Sequence, residues 1–254
     1  ESACTVTMSL TPGETEALLH PVPAQSGTRI NDVLLPALAR TLTPWMGQDT
    51  VLVDVEGHGR EGFFDDVDVS RRIGWFTSIY PVALGSGDGS PASAITSVKE
   101  TLRAVPHRGL GYGVLRYLSS NPDVRRLLDR QPRPQILFNY LGQLDAIAAG
   151  SSLFRLTSEP SGPWLAPQNQ RSHLVEVLAQ VIDGRLKVQW TYSRNVHEAP
   201  TMSGLAARYL ESLRELVGYC VTRSGAVRTP ADFPLAGITQ PELSELMSRY
   251  MFRS

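Results

Sequence analysis

The chain has little of what would point to a function by composition alone. Two cysteines, Cys4 and Cys220, in 254 residues are too few and too far apart for a disulfide framework or a zinc site, and read as free thiols in a reducing compartment. No run approaches the roughly 18 apolar residues of a membrane span, and no basic segment leads into an apolar stretch near the N-terminus, so a cytoplasmic location is expected. Neither sign of charge dominates. Twenty-four basic residues against 25 acidic ones leave a net charge of −1 without a basic stripe, which removes the electrostatic case for nucleic acid or membrane binding. No two of His20, His58, His107, His173 and His197 have the spacing of a metal pair on one helix. A Gly-x-Ser-x-Gly elbow, a P-loop, internal repeats and low-complexity segments are all missing. Methionine is also missing from the first position, which is Glu1, and a fragment of something longer is expected.

What is present is the material of a folded protein. The apolar fraction is 42% and the charged fraction 19%, ordinary for a globular chain that buries roughly 70–75% of its unfolded surface. Recognition of any partner must rest on shape and local chemistry.

The densest cluster of ionisable groups beside a strand pattern runs from Val51 to Glu61. Val51, Val53 and Val55 alternate with Leu52, Asp54 and Glu56, so a strand turns the valines to one face and both carboxylates to the other. Gly57 and Gly59 then allow a turn that crowds His58, Arg60 and Glu61 together. Before this strand, Thr11-Pro12-Gly13-Glu14 forms a capping box that opens a helix through Leu19. A second helix, about Ile30 to Trp45, carries one apolar face and stops at Gly47.

After it, Glu61 to Arg72 reads as a charged loop and Ile73 to Leu84 as a strand, with Pro81 marking an edge or irregular position. Ala92 to Val105 is helical. Gly109, Gly111 and Gly113 then argue against an ordinary helix interior and for close backbone approach, and their context is wrong for a dinucleotide fingerprint. A helix begins within Tyr112 to Leu118, and Asn121-Pro122-Asp123 caps another through Leu128. Pro134 to Leu141 is a strand with a polar Asn139, and Asp145 to Arg171 a long connection. Asp183-Gly184 joins strands His173 to Ile182 and Arg185 to Tyr192 as a hairpin. The helix Pro200 to Val221 should cover the sheet, and a turn at Ala231 to Leu235 precedes a helix from Thr239 through Met247. The fold class expected is α/β, a mixed β-sheet covered by helices.

Spacing alone leaves each site residue with two readings. Glu56 is either salt-bridged to Arg60, Arg71 or Arg72 or projects into a cleft as a general base. Tyr140 is a core aromatic with its hydroxyl on backbone, or a reacting group. Asn139 is a core strut or a ligand contact.

Four ordered motifs add to this: Glu56-Gly57-His58-Gly59-Arg60-Glu61, Arg71-x-Ile73-Gly74-Trp75-Phe76-Thr77-x-x-Tyr80-Pro81, Pro106-x-x-Gly109-x-Gly111-Tyr112-Gly113 and Phe138-Asn139-Tyr140-Leu141-Gly142-Gln143. With Asn31 to Ala39 and Asp232-Phe233-Pro234-Leu235, they closely resemble the epimerization domains of nonribosomal peptide synthetases, in the condensation superfamily, over nearly the whole chain. Arg71-Arg72-Ile73-Gly74 stands where that family usually has Arg-Thr-Val-Gly. The family's His-His-x-x-x-Asp-Gly motif, whose second histidine is catalytic, has no counterpart here.

The resemblance therefore implies residues 1–254 as a C-terminal lobe of chloramphenicol acetyltransferase-like fold, inactive without its N-terminal lobe. The implied activity is that of an isomerase in antibiotic biosynthesis: L-to-D epimerisation at the α-carbon of an aminoacyl or peptidyl thioester. The substrate would arrive on the phosphopantetheine arm of a peptidyl carrier protein, with no cofactor or metal bound directly. Glu56 matches the family's catalytic glutamate, Tyr140 a tyrosine assisting with protons or the enolate, and Asn139 a neighbouring donor. His58, Arg60, Trp75, Ser78, Tyr80 and Gln143 fall within the motifs as substrate-binding residues. A condensation-domain lobe and a noncatalytic carrier-docking lobe are the alternatives.

Overall fold

Six strands share one mixed sheet in the computed structural model of the chain, which describes residues 2–60, 68–144, 159, 162, 166, 168–222, 227–233 and 235–251. They are β1 (Ala3–Ser9), β2 (Thr50–Gly57), β3 (Ser78–Gly85), β4 (Ile136–Gln143), β5 (Val175–Ile182) and β6 (Arg185–Ser193), in the spatial order β1-β6-β5-β4-β2-β3. The β2–β4 and β4–β5 pairs are parallel, while β5–β6 and β6–β1 are antiparallel. The helices are α1 (Pro12–Leu19), α2 (Pro21–Ser26), α3 (Asn31–Met46), α4 (Pro91–Ala104), α5 (Leu110–Gly113), α6 (Pro122–Asp129), α7 (Ala199–Thr222) and α8 (Gln240–Met251).

The described residues divide into two compact units, one drawn from Glu1–Glu16, Leu52–Val82 and Gly109–Glu211, the other from Ala17–Val51, Ala83–Arg108 and Ser212–Ser254. In the first, alternation decides what is buried. Val53, Val55, Ile136, Phe138, Val175, Val177, Val188 and Trp190 are all at most 4% exposed. Asp54, Glu56, Leu137, Asn139, Glu176 and Leu178 between them stay partly accessible. The first half of α7 covers the buried face, with Tyr209 set edge-on to Trp190 at a centroid distance of 5.9 Å. The hairpin turn places Asp183 and Gly184 at φ of 55° and 65°, the left-handed pair that a two-residue connection requires. Leu186 N donates to the Thr15 hydroxyl of α1 at 2.9 Å.

The second unit is helical packing around a charged knot. Seven apolar side chains of α3, from Val33 to Leu42, are buried, and α4 packs against this helix. Gly47 closes α3 in the left-handed region at φ 63°. The fully buried Asp32 accepts both Arg103 Nη atoms at 3.0 Å and the Arg29 backbone N–H at 2.8 Å. Lys99, 1% exposed, donates to the Val227 carbonyl at 2.7 Å and to Asp232 at 2.5 Å. Asp232 also meets Arg103 at 3.3 Å.

Most of the expected elements form, with local differences that have physical causes. The strand expected from Ile73 begins at Ser78, because the Arg60 guanidinium draws in the carbonyls of Val69, Arg72 and Gly74 at 2.6, 2.8 and 3.2 Å. Carbonyls turned to a side chain cannot serve a ladder. Two elements go beyond the sequence reading, namely α2 and β1, an edge strand whose Cys4, Val6 and Met8 alternate with exposed residues. Pro81 sits on β3, the opposite edge, where a missing N–H is tolerated. Leu110–Gly113 is a helical turn after all, so only Gly109 of the three glycines answers to close approach. Residues 61–67 and most of the connection at 145–171 lie outside the described residues.

Candidate active site

The parallel register of β2 with β4 pairs Val53 with Ile136, Asp54 with Leu137 and Val55 with Phe138. One step further along both strands, Glu56 and Asn139 become neighbours on the face opposite the valines. The Asn139 Nδ2 amide donates to Glu56 Oε2. The β4–β5 register then sets Glu176 beside Leu137 and Leu178 beside Asn139. Two cross-strand rows result, one of Asp54, Leu137 and Glu176 and the next of Glu56, Asn139 and Leu178.

Burial raises the Glu56 carboxyl above the ordinary carboxylate range; the Asn139 hydrogen bond opposes the rise, Glu176 adds to it and His173 opposes it. Among the described residues no ion pair joins Glu56 to Arg60, Arg71 or Arg72. Of the three arginines that sequence spacing offers as its partner, Arg60 is held elsewhere. Arg60 is bound to three carbonyls and lies over the Phe76 ring at 4.4 Å. A half-buried carboxyl with one amide donor and its affinity for protons raised is suited to taking up and returning a proton.

Two further motif segments meet at the following residue, Gly57, on the valine face of β2. A Cβ on Gly57 would lie 3.1 Å from Ser78 Oγ and 3.9 Å from the Tyr80 ring, so both β3 side chains rest against the residue after Glu56. The Tyr80 ring also lies on Gly109, where an added Cβ would fall 2.0 Å from a ring carbon and φ is +80°. The glycine is needed both for its conformation and for the missing side chain. Gly109→Ala is expected to cost about 2–4 kcal/mol through clash and strain, whereas Gly111→Ala, with nothing within 4 Å of the added carbon, should stay within about 0.5 kcal/mol. Urea unfolding of the two variants checks the pair, and equal midpoints would refute the packing argument.

The remaining sequence candidates are dispersed. Tyr140 pairs with Ala179 in the regular part of the ladder, so alternation puts it on the Phe138 face, away from Glu56 and Asn139. Burial pushes its hydroxyl pKa up. His58 is exposed and its Nδ1 accepts the Arg60 backbone N–H at 3.0 Å. Trp75 is 91% exposed, and Gln143 is exposed beyond Gly142, whose φ is +83°. Sequence reasoning missed His173, which is 8% exposed and bonded through Nε2 to Asp54 Oδ2 at 2.9 Å. Asp54 was legible as a companion of Glu56 on its strand face; the histidine, 119 residues away along the chain, left no local signal. Among the described residues no group of three or more His, Cys, Asp or Glu is placed to hold a metal ion, and no helix is long and apolar enough to cross a membrane.

Comparison with known proteins places this geometry in a family. The model of the Condensation domain matches residues 2–236. The chain belongs to the Condensation domain family. A linear gramicidin synthase from Brevibacillus parabrevis contains a stretch 40% identical over 245 residues, 96% of this chain but 3% of that protein. The epimerization domain from the third module of tyrocidine synthetase B superposes with a TM-score of 0.79 at 35% identity, covering 87% of this chain and 49% of that one. The first condensation domain of the CDA synthetase matches at a TM-score of 0.53 and 15% identity over 89% of this chain and 47% of that one, a likeness of fold alone. The mixed six-stranded sheet with its helices is thus the condensation-domain fold, the chloramphenicol acetyltransferase-like class expected from the sequence. The chain spans about half the length of the epimerization domain it resembles and a small part of its synthase relative.

Proposed function

We propose that this chain is the C-terminal lobe of an epimerization domain, in which Glu56 moves the α-proton of a carrier-bound aminoacyl or peptidyl thioester. The observation that carries the reading is the Glu56–Asn139 pair at the ends of two parallel strands, with Ser78, Tyr80 and Gly109 gathered at the adjacent Gly57 on the opposite face. Four motifs far apart in sequence supply these residues. The likeness to the epimerization domain at 35% identity supports the same choice over condensation.

Peptidyl carrier protein would present the substrate on its phosphopantetheine arm. Conversion of L to D requires removing a proton from one face of a planar enolate and returning one to the other, so two acid/base groups must flank the α-carbon. Glu56 is one of them. The other would be contributed by the N-terminal lobe, for which this chain offers no His-His-x-x-x-Asp-Gly motif. Between them the thioester enolate needs hydrogen-bond donors as negative charge develops on its oxygen. Asn139, already directed at Glu56, orients that carboxyl and is placed to act as a neighbouring donor. Tyr140 belongs to the same motif, and from the Phe138 face it would act through the strand end rather than beside Glu56.

The test is deuterium washout at the α-carbon of a carrier-bound aminoacyl thioester, first with this chain and then with the N-terminal lobe supplied. No washout by the chain alone and washout by the two lobes together is expected. Washout by the lone chain would overturn the two-lobe reading. Carrier binding without exchange in the complete domain would favour a docking role, and peptide-bond formation a condensation role.

A further inference from the structure

The two strands beside β2 put unlike groups on either side of Glu56. On the β4 side its neighbour is Asn139, a hydrogen-bond donor. On the β3 side the neighbour follows from two contacts. A Cβ added to Gly57 would lie 3.1 Å from Ser78 Oγ, and one added to Gly85 would lie 3.7 Å from Thr50 Cγ2. The end of each strand thus lies against the start of the other, so β2 and β3, adjacent in the sheet, run antiparallel. One step back from Gly57 and one step on from Ser78 set Ile79 opposite Glu56. Burial agrees with this phase: Val82 and Leu84 are buried on the face of Ser78 and Tyr80, while Ile79 is 42% exposed on the other. Directly opposed residues in such a pair have Cβ atoms roughly 5 Å apart.

Beyond Asn139 the same row continues with Leu178. In the adjacent row the polar groups are engaged with one another's neighbours: Asp54 is bonded to His173 at 2.9 Å and Glu176 to Arg171 at 3.0 Å. An isoleucine left open beside a carboxyl adds little to a core that lies on the opposite face, and it offers an apolar surface to a ligand instead. We propose that Ile79 is a specificity-determining residue. With the α-carbon held at Glu56 and the thioester carbonyl turned to Asn139, the α-substituent lies against Ile79, which selects aliphatic and aromatic side chains over polar ones of the same size. The inference deepens the reading of Glu56 as the group that moves the α-proton and rests on it for the pose of the substrate. Contact with Ile79 removes apolar surface of both partners from water. A polar side chain of the same shape would lose hydration there and gain no hydrogen bond from Ile79 in return. A carboxylate side chain would in addition meet Asp54 and Glu56 on one face.

The experiment compares L-leucyl and L-asparaginyl thioesters, nearly alike in shape, on one carrier protein with the complete two-lobe domain. The ratio of their kcat/KM values for α-proton washout should favour leucine by about tenfold or more. Ile79→Thr keeps a β-branched residue at an exposed strand position, so the strand should still form, and it replaces part of the apolar surface by a hydroxyl. It should lower the ratio about tenfold. Ile79→Leu keeps an apolar side chain and should leave leucine preferred. Equal rates for the two substrates in the parent domain overturn the proposal without recourse to any variant. So does a fall of both rates by the same factor in Ile79→Thr, the result expected of a residue that only packs its strand or meets the N-terminal lobe. Should the parent exchange no α-proton from either substrate, the epimerization reading falls. The affinities of the domain for the two loaded carriers then decide on Ile79 by the same ratio and the same variants: a leucine preference that Ile79→Thr lowers upholds the apolar surface, and equal affinities discard it.

Discussion

Replacing Glu56 with glutamine in the complete two-lobe domain is expected to lower α-proton washout by about 10²–10⁴-fold, the usual worth of a positioned acid/base group. Glutamine preserves the size of the side chain and still offers a carbonyl oxygen to the Asn139 amide, so the contact between β2 and β4 survives. What disappears is the ability to hold a proton. Affinity for the loaded carrier should change little, because recognition of the carrier does not need Glu56 to titrate. The raised carboxyl sharpens the expectation. A base ionises above its pKa, so activity governed by Glu56 should rise with pH through a value higher than that of an ordinary carboxylate. Stopped exchange assays across pH, with carrier binding measured in parallel, check both points. Full exchange by Glu56→Gln would remove Glu56 from the mechanism.

The second large effect concerns stability and lies in the helical unit. Asp232→Ala is expected to cost about 3–5 kcal/mol, because it strands a buried cation rather than a surface one. Lys99 is 1% exposed and would retain only the Val227 carbonyl. Arg103 would keep Asp32 but lose its contact at 3.3 Å, and the Thr229 backbone N–H would lose its acceptor at 3.0 Å. Urea unfolding of Asp232→Ala measures the loss, and a change under about 1 kcal/mol would refute the argument. Replacing the pair together, as Lys99→Met with Asp232→Leu, should recover much of it, since a well-packed apolar pair avoids desolvating two charges.

The same carboxylate gives the pH dependence a sign. Burial disfavours the charged form of Asp232, yet hydrogen bonds from Lys99 and Thr229 and the charges of Lys99 and Arg103 outweigh it and hold its pKa below the ordinary value. Its contribution to stability is therefore complete above the unfolded carboxylate pKa of about 3.9 and is lost as pH falls through the folded value. Acid should loosen the α3–α4 knot, and the Asp232→Ala variant should lack that component of the acid response.

Much of the local structure follows from neighbours along the chain. The period-2 pattern of Val51 to Glu56 separated a core face from a polar one, and burial of Val51, Val53 and Val55 agrees. Thr11 and Glu14 cap α1 through bonds of 2.7 and 3.3 Å between residues three apart. Asp183-Gly184 closes the hairpin by its own backbone preference. Alternation also had consequences that spacing made available: residues 139 and 140 are adjacent in a strand, so they cannot share a face.

Other features depend on partners that local sequence does not identify. Spacing offered Arg60, Arg71 and Arg72 as partners for Glu56, because all fall close to it in sequence in charged positions, and did not offer Asn139. Only the parallel pairing of β2 with β4 selects Asn139, and parallel strands are joined by long crossovers whose register is set by packing rather than by a turn. The parallel pairing of β4 with β5 then carries His173 to Asp54. Close approach of Gly109 to Tyr80 joins segments whose conformations are each locally permissive, and the contact itself is tertiary. From sequence alone came most of the elements, their faces and the carboxylate at the strand end. Tertiary structure chose which groups surround that carboxylate, because strand register and close packing are settled by the burial of many residues at once, not by the preferences of a few adjacent ones.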